Sequence, residues 1–261
     1  MGDYELFKKQ VFVLTQIDLS CYKERQMKRR IDALITKCKI TSYEEYIRLL
    51  KTDKVRLDEF VAYLTINVSE FYRNPEQWKL LEDEMLPYLF ERFGNDLHIW
   101  SAACSTGDEP YTLVMLLAKF IPLDKIHVYA TDIDRQVLEK AQIGIYDEKS
   151  LKGLPKEFVS KYFTQVSDRS YQISDQIKRC VKFCQHNLLK DRYPKECDMI
   201  VCRNVMIYFT EDAKQEIYKK FNKALKVDGC LFVGNTEQII NYRDLGYEYD
   251  KIFFYRKSKE I

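Results

Sequence analysis

The chain has 261 residues, 46% of them hydrophobic, so it is long enough to bury a large core in one or two domains. Its 42 Lys and Arg residues nearly balance its 40 Asp and Glu residues, and a net charge of +2 argues against a protein that binds nucleic acid through a global positive field. The sequence lacks a signal-peptide pattern, a membrane-length apolar run, a CxxC pair and a zinc-finger spacing. We therefore expect a cytoplasmic protein with reduced cysteines, no metal site and no membrane insertion.

Residues 1–74 are predicted to form a small all-α domain. Apolar residues recur at three- and four-residue spacing in four segments, 5–15, 22–38, 42–51 and 56–65, and each predicts a helix. Ser42, with Glu45 three residues later, is typical of a capping box at the start of the third helix. Residues 75–94 carry a further apolar stripe that includes Trp78 and Leu89, which predicts a linking helix that packs on the following sheet.

From residue 95 onward, short β-rich segments alternate with amphipathic segments. Strands are predicted at 97–102, 126–131, 199–202, 231–234 and 252–255, and helices at 110–120, 137–142 and 212–226. This alternation implies right-handed crossovers and a mostly parallel, doubly wound sheet, so the fold class is α/β over 95–261. Two β-rich segments within 165–183 predict short antiparallel strands added to the main sheet as a small β subdomain.

The predicted strand, loop and helix over 97–118 form the unit that usually contacts the ligand in a doubly wound sheet. Its loop contains one glycine, Gly107, followed by Asp108 and Glu109, whereas a phosphate-binding loop has several glycines and no acidic residues. Two carboxylates favour a cationic ligand. The alternative is that Asp108 and Glu109 only stabilise the start of a helix ahead of Pro110, and this unit by itself leaves both interpretations open.

Two other predicted strands end in polar residues. Asp132 ends the second strand, about as far beyond the glycine as the acidic residue that binds ribose hydroxyls in dinucleotide folds. Asp134 is better placed to cap the next helix, which leaves Asp132 available for a ligand. Arg203 and Asn204 follow the strand at 199–202, so we expect them to line the same cleft, although an Arg-Asn step is also compatible with a turn alone.

Five motifs, in the same order and spread over essentially the whole chain, resemble the CheR-type glutamate methyltransferases of chemotaxis receptors. They are TINVSEFYRN at 65–74, WSAACSTGDEPY at 100–111, ATDID at 130–134, HNLL at 186–189 and CRNVMIYF at 202–209. The resemblance implies a Rossmann-like domain that binds S-adenosylmethionine, releases S-adenosylhomocysteine and forms glutamate methyl esters. Asp108, where many members have Glu, and Ser69, where some have Thr, are conservative departures.

The resemblance also assigns roles to individual residues. Arg73 and Tyr208 become the candidates for the region around the transferred methyl group. The implied cofactor contacts are Asn67, Ser69, Arg73, Glu109, Asp132, Asn187, Leu188, Arg203 and Asn204.

The implied substrate is an acidic, glutamate-bearing helix in the cytoplasmic part of a receptor. The predicted helix at 22–38 has an excess of Lys and Arg and is a candidate docking surface, with an ordinary solvated helix face as the alternative. Members that dock on a receptor's tether peptide are glycine-rich in the β subdomain, whereas 165–183 contains no glycine, so we expect no tether docking. We expect a monomer with no nucleic-acid partner. The competing interpretations are a methyltransferase acting on RNA or a small molecule, and a non-catalytic module that binds the cofactor.

Overall fold

The computed structural model describes residues 4–259, and the chain divides into two units. The first comprises the residues up to Asn67 together with Tyr208–Lys214, and the second comprises Val68–Ile207 and the residues from Gln215 onward. Residues 1–3 and 260–261 of the predicted domains lie outside the described residues.

The first unit contains the four helices expected from the apolar periodicity. They are α1 (Tyr4–Thr15), α2 (Glu24–Lys37), α3 (Tyr43–Thr52) and α4 (Lys54–Thr65). The Ser42 hydroxyl accepts a hydrogen bond from the Glu45 amide at 3.2 Å, which confirms the Ser42 half of the predicted capping box. The apolar stripes meet in an aromatic cluster in which the Phe7 ring lies 4.9 Å from Tyr43 and 6.3 Å from Phe60. These helices therefore owe their stability to a buried face as well as to their caps.

The second unit begins with the linking helix, which is interrupted. It consists of α5 (Pro75–Leu80), a π-helical turn (Leu81–Met85) and α6 (Leu86–Phe93). Pro87 has no amide hydrogen to donate, which is a physical reason for the wide turn just before it. The apolar stripe is buried against the sheet, and the Trp78 ring meets Phe232 edge-on at 5.6 Å, so the predicted packing is confirmed.

The main sheet has seven strands in the order β6-β2-β1-β7-β8-β10-β9. β6, β2, β1, β7 and β8 run parallel, and β10 and β9 complete the sheet in antiparallel orientation. Its strands are β1 (Ile99–Ala102), β2 (Val128–Asp132), β6 (Val181–Gln185), β7 (Cys197–Cys202), β8 (Leu225–Val233), β9 (Tyr247–Lys251) and β10 (Phe254–Lys257). The predicted mostly parallel α/β sheet is confirmed.

A second, three-stranded antiparallel sheet has the order β3-β5-β4 and contains β3 (Ile145–Asp147), β4 (Phe163–Ser167) and β5 (Ser170–Ile173). The predicted small antiparallel β subdomain is therefore confirmed, but the prediction that its strands are added to the main sheet is wrong. β5 pairs outside the main sheet, and β6 joins that sheet in parallel beside β2. Periodicity identifies a strand, but pairing depends on which neighbour buries its apolar face.

The remaining helices connect the strands of the second unit. They are α7 (Asp108–Leu117), α8 (Arg135–Ile143), α9 (Lys156–Tyr162), the short α10 (Asp175–Lys178) and α11 (Glu211–Ala224), whose first residues belong to the first unit. The predicted helix 212–226 ends two residues early, because β8 already begins at Leu225. Within residues 4–259, no helix combines the length and hydrophobicity that a membrane span requires.

Candidate active site

The loop between β1 and α7 turns sharply because three of its residues have left-handed backbone conformations. Ala103, Ser105 and Gly107 have φ values of 64°, 48° and 88°. A side chain at Gly107 would bring its Cβ within 2.9 Å of the Ala141 Cβ, so glycine is required on steric as well as conformational grounds. Left-handed non-glycine residues cost about 1–2 kcal/mol each, and such strain is common where a loop is shaped for a ligand.

Asp132, at the end of β2, holds this loop in place. Its carboxylate accepts hydrogen bonds from the amides of Ser105 at 2.8 Å and Asp134 at 2.9 Å. Burial raises the pKa of Asp132 to about 6, although the backbone hydrogen bonds oppose the shift. Each carboxylate oxygen retains a lone pair that can accept a further hydrogen bond, as from a ribose hydroxyl. Asp134 caps α8 by accepting from the Gln136 amide at 2.9 Å, so its predicted capping role is confirmed.

The segment after β6 reaches the same edge of the sheet through a backbone contact. The His186 amide donates to the Asp132 carbonyl at 2.9 Å, which brings Asn187 and Leu188 next to the end of β2. The Asn187 side chain accepts from the Leu189 amide at 2.9 Å, and the Leu188 carbonyl accepts from the Tyr193 hydroxyl at 2.7 Å. The turn is therefore held by its own polar groups.

The structure separates the two carboxylates of the first turn of α7. Asp108 is buried and accepts hydrogen bonds from the hydroxyls of Thr106 and Ser69, and burial raises its pKa. Glu109 accepts from the Ser101 hydroxyl at 2.8 Å and lies 3.6 Å from the Arg203 guanidinium. Burial raises the pKa of Glu109 to about 7, and Arg203 partly opposes that shift. Only Glu109 therefore belongs to a charged cluster, and its charge is matched by a cation of the protein.

Arg203, after β7, is buried and fully engaged. It donates to the Gln77 side-chain oxygen from Nε at 3.1 Å and to the Arg73 carbonyl from Nη2 at 2.7 Å. Its guanidinium lies 4.8 Å from the ring centroids of both Trp78 and Phe232. A planar guanidinium held between two rings and hydrogen-bonded along its edges has little freedom to reorient. Arg203 thus links β7 to the start of α5.

Asn204 is held by a residue that the sequence analysis missed. The Glu237 carboxylate accepts from the amides of Asn204 at 2.6 Å and Gly234 at 2.8 Å, while Asn204 has a φ of 61°. A side chain at Gly234 would collide with Glu237. The sequence did contain a signal for Glu237, namely an acidic residue three positions after a glycine at the carboxyl end of a strand. Gln77 offered none, because its partner is distant in sequence.

Several buried polar atoms at this edge have no hydrogen-bond partner within residues 4–259. They include the Ser105 hydroxyl and the Gln77 side-chain nitrogen. Buried polar groups are rarely left unsatisfied, so such atoms indicate a place for a polar ligand. These protein groups can donate to or accept from a molecule that carries hydroxyl, amino and carboxylate groups, as S-adenosylmethionine does. No group of three or more His, Cys, Asp or Glu in the described part of the chain is arranged to hold a metal ion.

The sequence-predicted residues fall into two sets. In the second unit, Ser69 joins Asp108, and Arg73 and Glu109 join Arg203. The Arg73 side chain is half-buried and donates to the Val68 carbonyl at 3.3 Å.

The other two residues, Asn67 and Tyr208, belong to the first unit. The side-chain amide of Asn67 donates to the Thr65 hydroxyl at 3.0 Å, and the Tyr208 carbonyl accepts from the Lys23 amide at 2.9 Å. Their roles stay predictions.

Comparison with known families shows where this chain belongs. Residues 67–249 match the family described as CheR methyltransferase, SAM binding domain, and residues 2–65 match the CheR methyltransferase all-alpha domain. The chain belongs to the CheR methyltransferase family. This CheR chain is an S-adenosylmethionine-dependent methyltransferase of chemotaxis that forms glutamate methyl esters, as its motifs indicated.

Curated relatives extend over most of the CheR chain. It is 41% identical to the chemotaxis protein methyltransferase of Listeria monocytogenes, over 98% of this chain and 97% of the relative. The protein of the same name from Borreliella burgdorferi is 35% identical over 88% of this chain and 86% of its own length. The one from Escherichia coli K12 is 34% identical over 85% and 79%. The similarity thus includes the helical N-terminal part as well as the sheet.

Proposed function

We propose that the carboxyl-end edge of the main sheet holds S-adenosylmethionine and presents its methyl group to a glutamate of a chemotaxis receptor. The convergence of Glu109, Arg203 and Asp132 at this edge carries the proposal. The proposed cofactor contacts are Asn67, Ser69, Arg73, Glu109, Asp132, Asn187, Leu188, Arg203 and Asn204. Residues 1–74, 75–94 and 95–261 are proposed as all-α domain, linking helix and catalytic domain.

Bound S-adenosylmethionine supplies a methyl group on a positively charged sulfur. The receptor glutamate, with an ordinary pKa of about 4.3, is already an anion at neutral pH, so the protein needs no general base for the attack. The chain's part is to bind and orient. Asp132 accepts hydrogen bonds from hydroxyls, and Glu109, Arg203 and Gln77 form a rigid polar wall. Arg73 orients the incoming carboxylate by charge-assisted hydrogen bonds, and Tyr208 adds a hydrogen bond or closes the methyl site.

Arg73→Ala tests the proposed transfer point. The Arg73 carbonyl, which accepts from Trp78 and Arg203, is retained in this variant, so the fold should survive while the guanidinium is lost. We expect kcat/KM for receptor methylation to fall at least about tenfold, because one charge-assisted contact is removed. The measurement is base-labile methyl label incorporated into receptor-containing membranes. Lys79→Ala, on the exposed side of α5, is the control. Unchanged methyl transfer together with unchanged cofactor affinity would contradict the assignment.

We propose that the receptor docks on the exposed basic residues of α2 and its N-cap. These are Lys23, Arg25, Lys28, Arg29 and Lys37. Arg30 is different, because its guanidinium lies 4.3 Å from the Tyr63 ring and donates to the Tyr63 carbonyl within the first unit. Arg30 therefore stabilises the helical unit and is unsuitable for testing docking.

The double variant Arg25→Glu/Arg29→Glu should raise KM for receptor membranes several-fold and leave kcat nearly unchanged. Long-range attraction to an acidic helix is screened by salt, so the effect should be larger at low ionic strength. Lys51→Glu/Lys54→Glu, which reverses two other exposed charges of the first unit, is the control. Equal effects in both double variants would argue against a specific docking helix.

We further propose that the enzyme works in the cytoplasm as a monomer and without a receptor tether. The β4–β5 hairpin turns at Asp168 and Arg169 and has no glycine that would allow a close backbone approach by a peptide.

A further inference from the structure

One face of the main sheet is incompletely covered near its β6 edge. Parallel strands are usually joined through a helix, but residues 186–196, between β6 and β7, contain turns and bends only. In the strand register Lys182 lies beside Tyr129, and Tyr129 beside Trp100, so the three side chains share this face. Tyr193 covers Trp100 at a ring distance of 5.0 Å. Tyr129 remains half-buried and Lys182 exposed.

A hollow of about 360 Å³ lies at this place. Its lining includes Trp100, Tyr129, Cys180 and Pro194, and it opens at the amino ends of β1, β2, β6 and β7. The site proposed for the cofactor is at the carboxyl ends of the same strands. A ligand in the hollow would therefore not compete with the cofactor.

The rim of the hollow is basic. Three cations and two imidazoles surround it, all on exposed residues: His98, His127, Arg179, Lys182 and Lys195. No Asp or Glu lines the hollow, and within residues 4–259 none of the three cations forms an ion pair closer than 4.0 Å. Basic residues around an apolar floor, with no carboxylate in the lining, favour an anionic ligand that also has an apolar part.

The spacing of the basic residues indicates the size of the ligand. They lie at the starts of four neighbouring strands, and strands are roughly 4.8 Å apart, so the row spans about 14 Å. One carboxylate or phosphate cannot reach across such a row. An extended peptide, whose alternate side chains are about 7 Å apart, can place several carboxylates along it.

We propose that this hollow is a second binding site, which takes an acidic protein segment and buries one bulky apolar side chain of that segment between Tyr129 and Pro194. The segment binds by charge at the rim and by apolar contact at the floor, independently of the cofactor.

The test uses a fluorescein-labelled synthetic peptide with a central pair of phenylalanines flanked by glutamates, and fluorescence anisotropy with the full chain. Two matched peptides replace the phenylalanines with serines or the glutamates with lysines. We expect saturable binding of the first peptide, binding at least roughly tenfold weaker for the serine peptide, and none for the lysine peptide.

Lys182→Glu/Lys195→Glu should weaken binding of the acidic peptide roughly tenfold, with unchanged cofactor affinity as the check on folding. Lys156→Glu/Lys161→Glu, at two exposed positions of α9, is the control and should bind as the unaltered chain does. Equal losses in the two double variants, or equal binding of the phenylalanine and serine peptides, would overturn the proposal. The proposal would also be overturned if the chain bound 1-anilinonaphthalene-8-sulfonate but not the acidic peptide, because the hollow would then take a small organic anion. Self-association that is lost in Lys182→Glu/Lys195→Glu would overturn it as well, because a second copy of the chain would then occupy the hollow.

Discussion

Replacing Arg203 with alanine is expected to lower the free energy of unfolding by about 3–5 kcal/mol and to abolish measurable cofactor binding. The guanidinium compensates the charge of buried Glu109 and donates to Gln77 and to the Arg73 carbonyl. It also packs between two aromatic rings. Its removal leaves a cavity and an uncompensated buried carboxylate. Denaturant unfolding and calorimetric titration with S-adenosylmethionine measure the two effects.

The loss should depend on pH in a defined direction. Arg203 lowers the pKa of Glu109, so without it that pKa rises above about 7, and Glu109 becomes neutral by taking up a proton. A neutral carboxyl needs no counter-charge. The Arg203→Ala protein should therefore regain stability, relative to the unaltered protein, as the pH falls from the raised pKa of Glu109 in the variant to about 7.

Two controls separate this mechanism from general damage. Arg203→Ala should cost less in a Glu109→Gln background, because the amide carries no charge to compensate. Arg192→Ala, which removes an exposed arginine of the same unit, should change stability by less than about 0.5 kcal/mol. An Arg203→Ala loss that is the same in both backgrounds and at every pH would show that Glu109 is not the partner that matters.

Asp132→Asn is expected to weaken cofactor binding about 100-fold. The carboxylate keeps free lone pairs beyond those used by the Ser105 and Asp134 amides, whereas an amide side chain has one acceptor oxygen and a nitrogen that would face a donor. Titration calorimetry against the unaltered protein measures the change. Asp124→Asn, at an exposed carboxylate before β2, is the matched control and should bind normally.

The pH dependence gives Asp132 a second test. Its folded-state pKa, about 6, is raised above the ordinary value of 3.8, so folded protein holds this proton more tightly than unfolded protein does. Between about pH 6 and pH 4 the contribution of Asp132 to the free energy of unfolding therefore rises as the pH falls. Cofactor affinity should move the other way, because a protonated carboxyl accepts fewer hydrogen bonds. Affinity independent of pH from about 5 to 8 would exclude the ribose role of Asp132.

Local sequence was sufficient for much of the architecture. The four N-terminal helices, the Ser42 cap and the strands that end at Ala102, Asp132 and Cys202 follow from short-range periodicity and capping chemistry. The pairing of Val181–Gln185 with β2 did not follow, because apolar alternation identifies a strand without identifying its neighbour. The π-helical turn before Pro87 depends on hydrogen bonds that the apolar stripe leaves undetermined.

The sequence by itself was sufficient for the family and the cofactor, and it predicts the residues of the site, because each motif at a strand end is a short continuous segment with its own chemistry. Only the tertiary structure decided how that chemistry is held together. Arg203 lies beside Glu109 and donates to Gln77, and Glu237 accepts from the Asn204 amide. The two residues of each pair are far apart in the sequence. A buried charge or polar group is costly unless the fold places a partner beside it. The sequence separation between such partners is not fixed, so a sequence pattern does not predict these contacts.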